Sequence, residues 1–239
     1  AISAISKAID INHHHENEYY QRALAKAKLG QNKEALEDFS RVIEINPKHM
    51  DAFLLRGEIK CMLFNDLTSA MDDYTRVIEL DPQNTWAFIS RGMAKDMMGD
   101  HTGAIEDFSS AIEIDPGDKA AWANRGVVKI GLKDFTGAIE DFSEAIKIDP
   151  NHKFALHNRG NAKTIIKDYR GAIADFTSLI KLDINNAEAY FRRGLAWSFV
   201  DKIEYAYMDF SMAVKINPGH SQAWYHRGLL IKSEFRDYH

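Results

Sequence analysis

The sequence is poor in the residues that cross-link, interrupt or loosen a chain: it has one cysteine, 5 prolines and 14 glycines in 239 residues. A single thiol, Cys61, excludes an intramolecular disulfide framework. No stretch gathers the prolines and glycines into a flexible linker. Long apolar runs are also missing, so we predict no membrane-spanning helix. Disulfide-rich, membrane-inserted and linker-joined architectures are therefore not expected.

An excess of positive charge is missing as well. The chain has 30 Lys and Arg against 35 Asp and Glu, a net charge of −5 and an isoelectric point near 6.1, without a basic cluster. This balance argues against nucleic acid or an anionic membrane as the main partner. Phosphate-binding loops, a His-Glu-x-x-His pair and cysteine pairs with metal-ligand spacing are absent too. We therefore predict a non-enzymatic protein that has no catalytic residues, cofactor or metal site.

The most regular feature of the chain is an Arg-Gly pair that returns at intervals of 34 residues, with one interval of 35. Self-similarity at such a period is typical of stacked helical repeats. The pairs are Arg56-Gly57, Arg91-Gly92, Arg125-Gly126, Arg159-Gly160, Arg193-Gly194 and Arg227-Gly228.

The period divides the chain into one continuous array over residues 1–239. Residues 1–15 correspond to the second helix of an incomplete repeat, and residues 221–239 to the first helix of a seventh. Because the sequence opens inside a repeat and without Met, we expect a longer parent protein and any targeting signal upstream. The compartment is left open, with the cytoplasm as the default. The six full units are 16–49, 50–84, 85–118, 119–152, 153–186 and 187–220.

Two short helices are predicted in the unit 119–152. The first runs roughly over residues 119–131, and the second over residues 136–148. Pro150 ends the second helix, because proline cannot continue an α-helix. Gly126, inside the first helix, costs about 1 kcal/mol relative to Ala. Its return in six units indicates that the second helix crosses there at close range.

With Lys119 as position 1, this unit has Trp at position 4, Gly at 8, Phe at 17, Ala at 20, Phe at 24, Ala at 27 and Pro at 32. The pattern resembles the tetratricopeptide repeat, a 34-residue helix-turn-helix, and the resemblance covers essentially the whole chain. It implies an all-α fold, a right-handed α-α superhelix. It also implies a scaffold for protein–protein interaction.

The chain departs from the family at position 7, which is usually apolar but is Arg in every unit. Each complete unit also has an Asp at position 23, and most have a Lys at position 11. One interpretation is a basic ladder for an acidic ligand. The interpretation that we favour is a charge pair between the two helices of each unit, because a carboxylate accompanies every Arg in the complete units.

In the family, ligands usually lie in the concave groove lined by the first helices. The corresponding positions here carry apolar side chains that the core does not need, and an exposed apolar patch usually marks an interaction site. We expect the apolar members to anchor a peptide and the Asn and Arg side chains to bind its backbone. The candidate site residues are Leu54, Trp86, Ile89, Met93, Asn124, Phe154, His157, Asn158, Asn161, Phe191, Arg192 and Phe199.

Several alternatives stay open, and several are set aside. The groove or a terminal helix could instead mate with a second copy, which gives a homo-oligomer. The array could also be the substrate-recruiting arm of a larger enzyme. Binding of chaperone C-terminal tails is not predicted, because the two lysines of that clamp are missing. The run from His13 to Glu16 lies on a loop whose adjacent side chains seldom converge on one metal ion.

Two local expectations complete the prediction. The extra residue of the second unit is expected in the turn around residues 64–67, where an insertion is cheapest. Ile184 stands where the other units have Pro, so we expect a less sharply ended helix at that junction.

Overall fold

A computed structural model describes residues 2–11 and 15–236 of the protein, and all the regular structure in that part is α-helical. Its fourteen helices are α1 Ile2–Ile11, α2 Glu16–Lys28, α3 Asn32–Ile45, α4 Met50–Phe64, α5 Leu67–Leu80, α6 Thr85–Met97, α7 His101–Ile114, α8 Lys119–Gly131, α9 Phe135–Ile148, α10 Lys153–Ile165, α11 Tyr169–Leu182, α12 Ala187–Phe199, α13 Ile203–Ile216 and α14 Ser221–Arg236.

The helices form two compact units. Unit 1 covers residues 1–116 with α1–α7, and unit 2 covers residues 117–239 with α8–α14. Within each unit every helix packs against the next one along the chain. We call the even-numbered helices first helices and the odd-numbered ones second helices. Neighbouring first helices also contact each other, α4 with α6 in unit 1 and α10 with both α8 and α12 in unit 2. Each first helix begins at the first residue of a predicted repeat. The division of the chain into these repeats stays a prediction.

In five of the six helix pairs, the core is an aromatic ring of the second helix that lies over a glycine of the first; in α2–α3 the small residue is Ala23. A Cβ added to Gly126 would lie 3.0 Å from the Phe142 ring, and one added to Gly160 would lie 2.9 Å from the Phe176 ring. Phe142 and Phe176 are completely buried. The close crossing predicted from the repeated glycine is therefore confirmed. A side-chain ring fills the space, and the neighbouring backbone stays further away.

The ends of the second helices depend on an Asp or Asn more than on proline. Asp149, which precedes Pro150, accepts a hydrogen bond at Oδ1 from the Asn151 N–H at 3.0 Å. Asp183 makes the same turn with the Asn185 N–H at 3.2 Å, although Ile184 replaces the proline, and α11 ends at Leu182. The expectation of a softer junction at Ile184 was wrong, because the Asp side chain supplies the turn.

The extra residue of the second repeat, residues 50–84, lengthens α4. This helix has 15 residues, against 13 in α6, and Asn65 ends it in the left-handed conformation with φ 51°. The insertion therefore reaches the helix end as well as the predicted turn.

A charge ladder joins the two helices of each pair. In α10 and α11, Arg159 donates from Nη2 to Asp175 Oδ1 at 2.6 Å and from Nε to Oδ2 at 3.0 Å. Lys163 Nζ lies 2.9 Å from the same Oδ2, and Asp175 is only 3% exposed. These contacts confirm the predicted charge pair. The equivalent pairs are Arg22–Asp38, Arg56–Asp73, Arg91–Asp107, Arg125–Asp141 and Arg193–Asp209.

The same arginines reach a third helix, a feature that the sequence analysis missed. Arg159 Nη1 donates to Ser143 Oγ on α9 at 3.0 Å, so this one side chain ties α9, α10 and α11 together. The available signal was a Ser or Thr at position 25 of every repeat. The ladder cations are thus engaged inside the fold, where they stabilise it. The matching bonds run from Arg22 to Ser6, Arg56 to Ser40, Arg91 to Thr75 and Arg193 to Thr177.

Candidate functional site

The first helices of unit 1 form two adjoining pockets that share one wall. The α2–α4 pocket has a volume of about 200 Å³, and the α4–α6 pocket has about 170 Å³. Trp86 lines both of them. The α2–α4 pocket is otherwise lined by Tyr20, Asp51, Leu54 and Leu55, and the α4–α6 pocket by Glu58, Cys61, Met62, Tyr74, Ile89, Ser90 and Met93.

Trp86 owes its outward position to the start of α6. Asn84 caps the helix by accepting a hydrogen bond from the Ala87 N–H at 3.0 Å, and Ala87 is buried in the core. The preceding Trp86 therefore lies on the outer face, with 59% of its surface exposed. Its indole N–H has no hydrogen-bond acceptor among the described residues, whereas Trp224 Nε1 donates to the Pro218 carbonyl at 3.0 Å. A ligand carbonyl can take the unused Trp86 donor.

Tyr74 and Cys61 are the buried residues of the α4–α6 pocket. Burial raises the pKa of the Tyr74 phenol far above its usual range, with smaller contributions from Cys61, Glu58 and Asp73. Burial also raises the pKa of the Cys61 thiol, and the Glu58 carboxylate adds to the effect. A thiol with a raised pKa stays protonated at neutral pH and is a poor nucleophile. Cys61 is therefore a packing residue of an apolar pocket.

Each pocket in unit 1 has one carboxylate at its margin. Asp51 lines the α2–α4 pocket and Glu58 lines the α4–α6 pocket, two turns further along α4. Both are exposed, and neither has an ion-pair or hydrogen-bond partner in the part of the chain that the structure describes. Burial raises the pKa of the Tyr20 phenol, and the charge of Asp51 contributes to that shift, as expected for neighbours in one pocket.

The candidate residues of unit 2 lie on a more polar surface. Phe154 and Phe199 are 51% and 58% exposed, and the Phe199 ring stacks on Tyr169 with a centroid distance of 4.6 Å. The Asn158 amide donates to the Phe154 carbonyl of its own helix at 2.9 Å, so part of its hydrogen-bonding capacity is already used. Asn124 and Asn161 are half-buried on α8 and α10.

Arg192 and His157 are brought close to each other in unit 2. Burial lowers the pKa of His157, and the Arg192 charge lowers it further, so the imidazole is neutral at pH 7. Arg192 donates from Nε to Glu188 Oε1 at 2.5 Å, and Glu188 Oε2 lies 3.2 Å from His220 Nε2. Arg192 thus already has a carboxylate partner within the fold, which weakens its predicted role in holding a peptide backbone.

Phe191 is a correction to the predicted site. It is only 3% exposed and belongs to the core of unit 2. Its ring lies 4.7 Å from His220, the last residue of its own repeat, and 5.7 Å from His226 on α14. The two imidazoles cover it, so Phe191 presents no apolar surface to a ligand in this arrangement.

The sequence thus identified part of the pocket lining in unit 1. Leu54, Trp86, Ile89 and Met93 line the two pockets, while Tyr20, Asp51 and Glu58 were not among the candidate residues. The signal was present, since all three occupy repeat positions 5, 2 and 9 of the family's groove.

No metal-binding or membrane-crossing feature stands out in the described part of the chain. His15 pairs with Glu18 at 3.1 Å, while His13 and His14 lie outside the described residues. Among the side chains that the structure describes, those of residues 2–9 and 15–230, no three His, Cys, Asp or Glu are grouped so as to hold a metal ion. None of the described helices is both long and apolar enough to cross a membrane.

Comparison with known proteins shows which repeat and which fold this architecture resembles. Residues 17–49 and 120–152 match the family model of the tetratricopeptide repeat. YrrB, a TPR protein with an unusual peptide-binding site, superimposes with a TM-score of 0.68 at 19% identity, over 80% of this chain and 97% of its own. The chain therefore contains tetratricopeptide repeats and has the fold of tetratricopeptide repeat proteins. The predicted resemblance and the predicted all-α solenoid fold class are therefore confirmed.

Two further structures share this fold. The C-terminal part of a TPR repeat-containing protein from Cytophaga hutchinsonii has a TM-score of 0.77 at 16% identity, over 93% of this chain and 91% of its own. MamA has a TM-score of 0.65 at 20% identity, over 72% of this chain and 94% of its own. Residues 203–234 also match the protein prenyltransferase alpha subunit repeat. No curated protein matched the chain by sequence.

Proposed function

We propose that this protein is a non-enzymatic scaffold that binds a peptide segment of a partner protein on the first helices of unit 1. The observation that carries the proposal is the pair of pockets separated by the exposed Trp86 ring. An exposed, rigid aromatic side chain between two apolar depressions is the kind of residue that dominates binding energy at protein interfaces.

The size of the pockets favours a peptide over a small molecule. At about 170 and 200 Å³ they are smaller than the roughly 300–1,000 Å³ of typical small-molecule sites. Each pocket therefore suits one side chain of a longer ligand. Complete burial of one large apolar side chain contributes about 1.5–3 kcal/mol. Two such side chains on one segment, together with the free Trp86 N–H, supply the affinity and fix the direction of the peptide.

The similarity to YrrB supports the same proposal, because that protein carries a peptide-binding site on this fold. The exposed Phe154 and Phe199 of unit 2 offer a second apolar surface for another segment. Two alternatives remain: self-association through this surface or through a terminal helix, and a substrate-recruiting arm of a larger enzyme.

The test is affinity capture with three forms of the full chain: wild type, Ile89→Glu and Leu29→Glu. Ile89 lines the α4–α6 pocket, whereas Leu29 is an exposed apolar residue of unit 1 that lines neither pocket. Cross-linking before capture and mass spectrometry identify the partner and the segment in contact, and that segment is then titrated as a synthetic peptide.

We expect wild type and Leu29→Glu to retain a partner that Ile89→Glu loses, because a charge in the pocket opposes apolar burial. Equal capture by all three forms would place the interaction elsewhere on the protein. Capture of the protein's own copies, together with a mass in light scattering that rises with concentration, would favour the homo-oligomer.

A further inference from the structure

We propose that the peptide bound by unit 1 carries a Lys or Arg side chain that enters the α2–α4 pocket, within four residues of a large apolar side chain that enters the α4–α6 pocket. This inference rests on the proposed function and names the chemical class of its ligand. It is carried by the lining of the α2–α4 pocket, which combines one carboxylate with two aromatic rings.

The α2–α4 pocket has the composition of a cation site. Asp51 supplies a negative charge, and Tyr20 and Trp86 supply two aromatic rings, a kind of group that attracts a cation. No Lys, Arg or His lines either of the two pockets. An apolar ligand alone would leave the Asp51 charge without compensation, whereas a basic side chain satisfies the carboxylate and packs its methylene groups on Leu54 and Leu55.

An internal comparison shows that the open state of Asp51 is specific to its repeat. Glu188 occupies the same repeat position in unit 2, and there the carboxylate is held by Arg192 at 2.5 Å and by His220 at 3.2 Å. The residue of unit 1 equivalent to Arg192 is Leu55, and the one equivalent to His220 is Asn84. Asn84 uses its side-chain oxygen to cap α6. The repeat that contains Glu188 compensates this carboxylate with its own Arg and His. The repeat that contains Asp51 leaves its carboxylate to a ligand.

The Tyr20 side of the pocket is fixed before a ligand arrives. The Tyr20 ring lies 4.7 Å from the His49 ring and meets Phe39 edge to face at 6.0 Å. His49 is held in turn, since its Nδ1 accepts a hydrogen bond from the Ala52 N–H at 3.2 Å. A supported ring reduces the ordering that binding requires.

The shared Trp86 wall sets the spacing of the two ligand side chains. Because one indole separates the pockets, the basic and the apolar side chain lie on its two sides. In an extended peptide, side chains on one face recur every second residue, about 6.6 Å apart. In a helical peptide they recur every three or four residues. Both conformations give a separation of at most four residues. Glu58, beside the α4–α6 pocket, and the net charge of −5 add to the preference for a basic segment.

The test is selection of a phage-displayed library of random 12-residue peptides on the full chain, in wild-type form and as Asp51→Asn. The control is Asp72→Asn, which removes an exposed carboxylate of α5 that lines neither pocket. Because Asp51 and Asp72 are exposed and have no partner in the described chain, neither change disturbs the fold. The best peptide is then titrated in its selected form and with its basic residue replaced by Gln.

We expect wild type and Asp72→Asn to enrich peptides with Lys or Arg within four residues of a large apolar residue, and Asp51→Asn to lose that enrichment. Asp51→Asn should lower affinity by about threefold, the size of an exposed ion pair. The peptide's Gln replacement should lower it by about tenfold, because it removes the cation–π contact as well. Since the Gln replacement already removes the ion pair, Asp51→Asn should lower the affinity of the Gln peptide no further.

Two results would overturn the inference in distinguishable ways. Peptides that lose binding to Ile89→Glu but show no basic residue would leave the proposed function standing and remove the cation site. A selection that yields no peptide, or peptides whose binding Ile89→Glu does not change, would remove both.

Discussion

The buried ladder at position 7 and the neighbouring position 5 of the same first helices follow opposite rules. At position 7 every repeat has an Arg, and in all six complete repeats it binds an Asp of the second helix. At position 5, less than a turn away, the residues are Tyr20, Leu54, Ile89, Ala123, His157, Phe191 and Tyr225. The invariant contact holds the helices together, and the variable face distinguishes one repeat from the next. Stability and recognition therefore depend on different residues of one helix, and each can be changed alone.

The largest effect is expected when the ladder is broken. Arg159→Ala leaves the buried Asp175 with only Lys163 and deprives Ser143 of its donor, so we expect the free energy of unfolding to fall by about 3 kcal/mol. Urea unfolding measures it. The control is Arg76→Ala, which removes an exposed pair with Glu79 at 2.8 Å and should cost under about 1 kcal/mol. Equal losses from the two changes would contradict a structural ladder.

The next effect separates recognition from stability. Trp86→Ala removes the wall shared by the two pockets, and we expect peptide affinity to fall about 30-fold, as for an aromatic hot spot. The unfolding midpoint should hardly move, since most of this side chain is exposed. Met98→Ala, an exposed apolar residue beyond the end of α6, is the matched control for affinity. A large loss of stability in Trp86→Ala would make this residue part of the core.

A smaller effect tests the ring-over-glycine contact. Gly160→Ala places a methyl group 2.9 Å from the buried Phe176 ring, and we expect a destabilisation of about 1 kcal/mol despite the better helix propensity of Ala. Gly131→Ala, at the end of α8, meets no atom within 4 Å and should be neutral or stabilising by up to about 1 kcal/mol. Thermal unfolding of both variants decides the point. Stabilisation by Gly160→Ala would show that the ring yields easily.

The smallest effect concerns pH. Burial in the first place, and the Arg192 charge in the second, lower the pKa of His157 in the folded protein. The stability linked to its neutral form is complete above the unfolded pKa of about 6.5 and is lost as pH falls through the folded value. We expect His157→Gln to lose less stability than wild type between pH 7.5 and pH 5, as measured by urea unfolding. If His157→Gln lost as much stability as wild type over this pH range, the acid sensitivity would come from other groups.

Periodicity was sufficient to predict the helices, the glycine contact and the Arg–Asp ladder, because each recurs at a fixed position of the repeat. It failed where a residue's environment depends on one particular neighbour. Phe191 is buried because His220 and His226 cover it, and nothing at position 5 of its own repeat indicates this. The Ser143 hydroxyl that accepts a hydrogen bond from Arg159 lies on α9, in the preceding repeat. The predicted charge pair joined only the two helices of one repeat, so it did not reveal this contact.

The pockets of unit 1 were predicted only in part for a related reason. A pocket is the space between several helices, and Trp86 forms two of them because its neighbours on α2 and α4 leave room on both sides. The unpaired state of Asp51 becomes visible only when its surroundings are compared with those of Glu188. Composition alone marks both residues as surface acids.

The most direct test of the account is one titration series with a selected peptide, measured alongside unfolding, on wild type, Trp86→Ala and Arg159→Ala. We predict that Trp86→Ala loses most of the affinity at an unchanged unfolding midpoint, and that Arg159→Ala keeps the affinity at a lowered midpoint. If both variants lost affinity and stability in equal measure, the ladder and the first-helix surface would not be separate, and the central claim would be wrong.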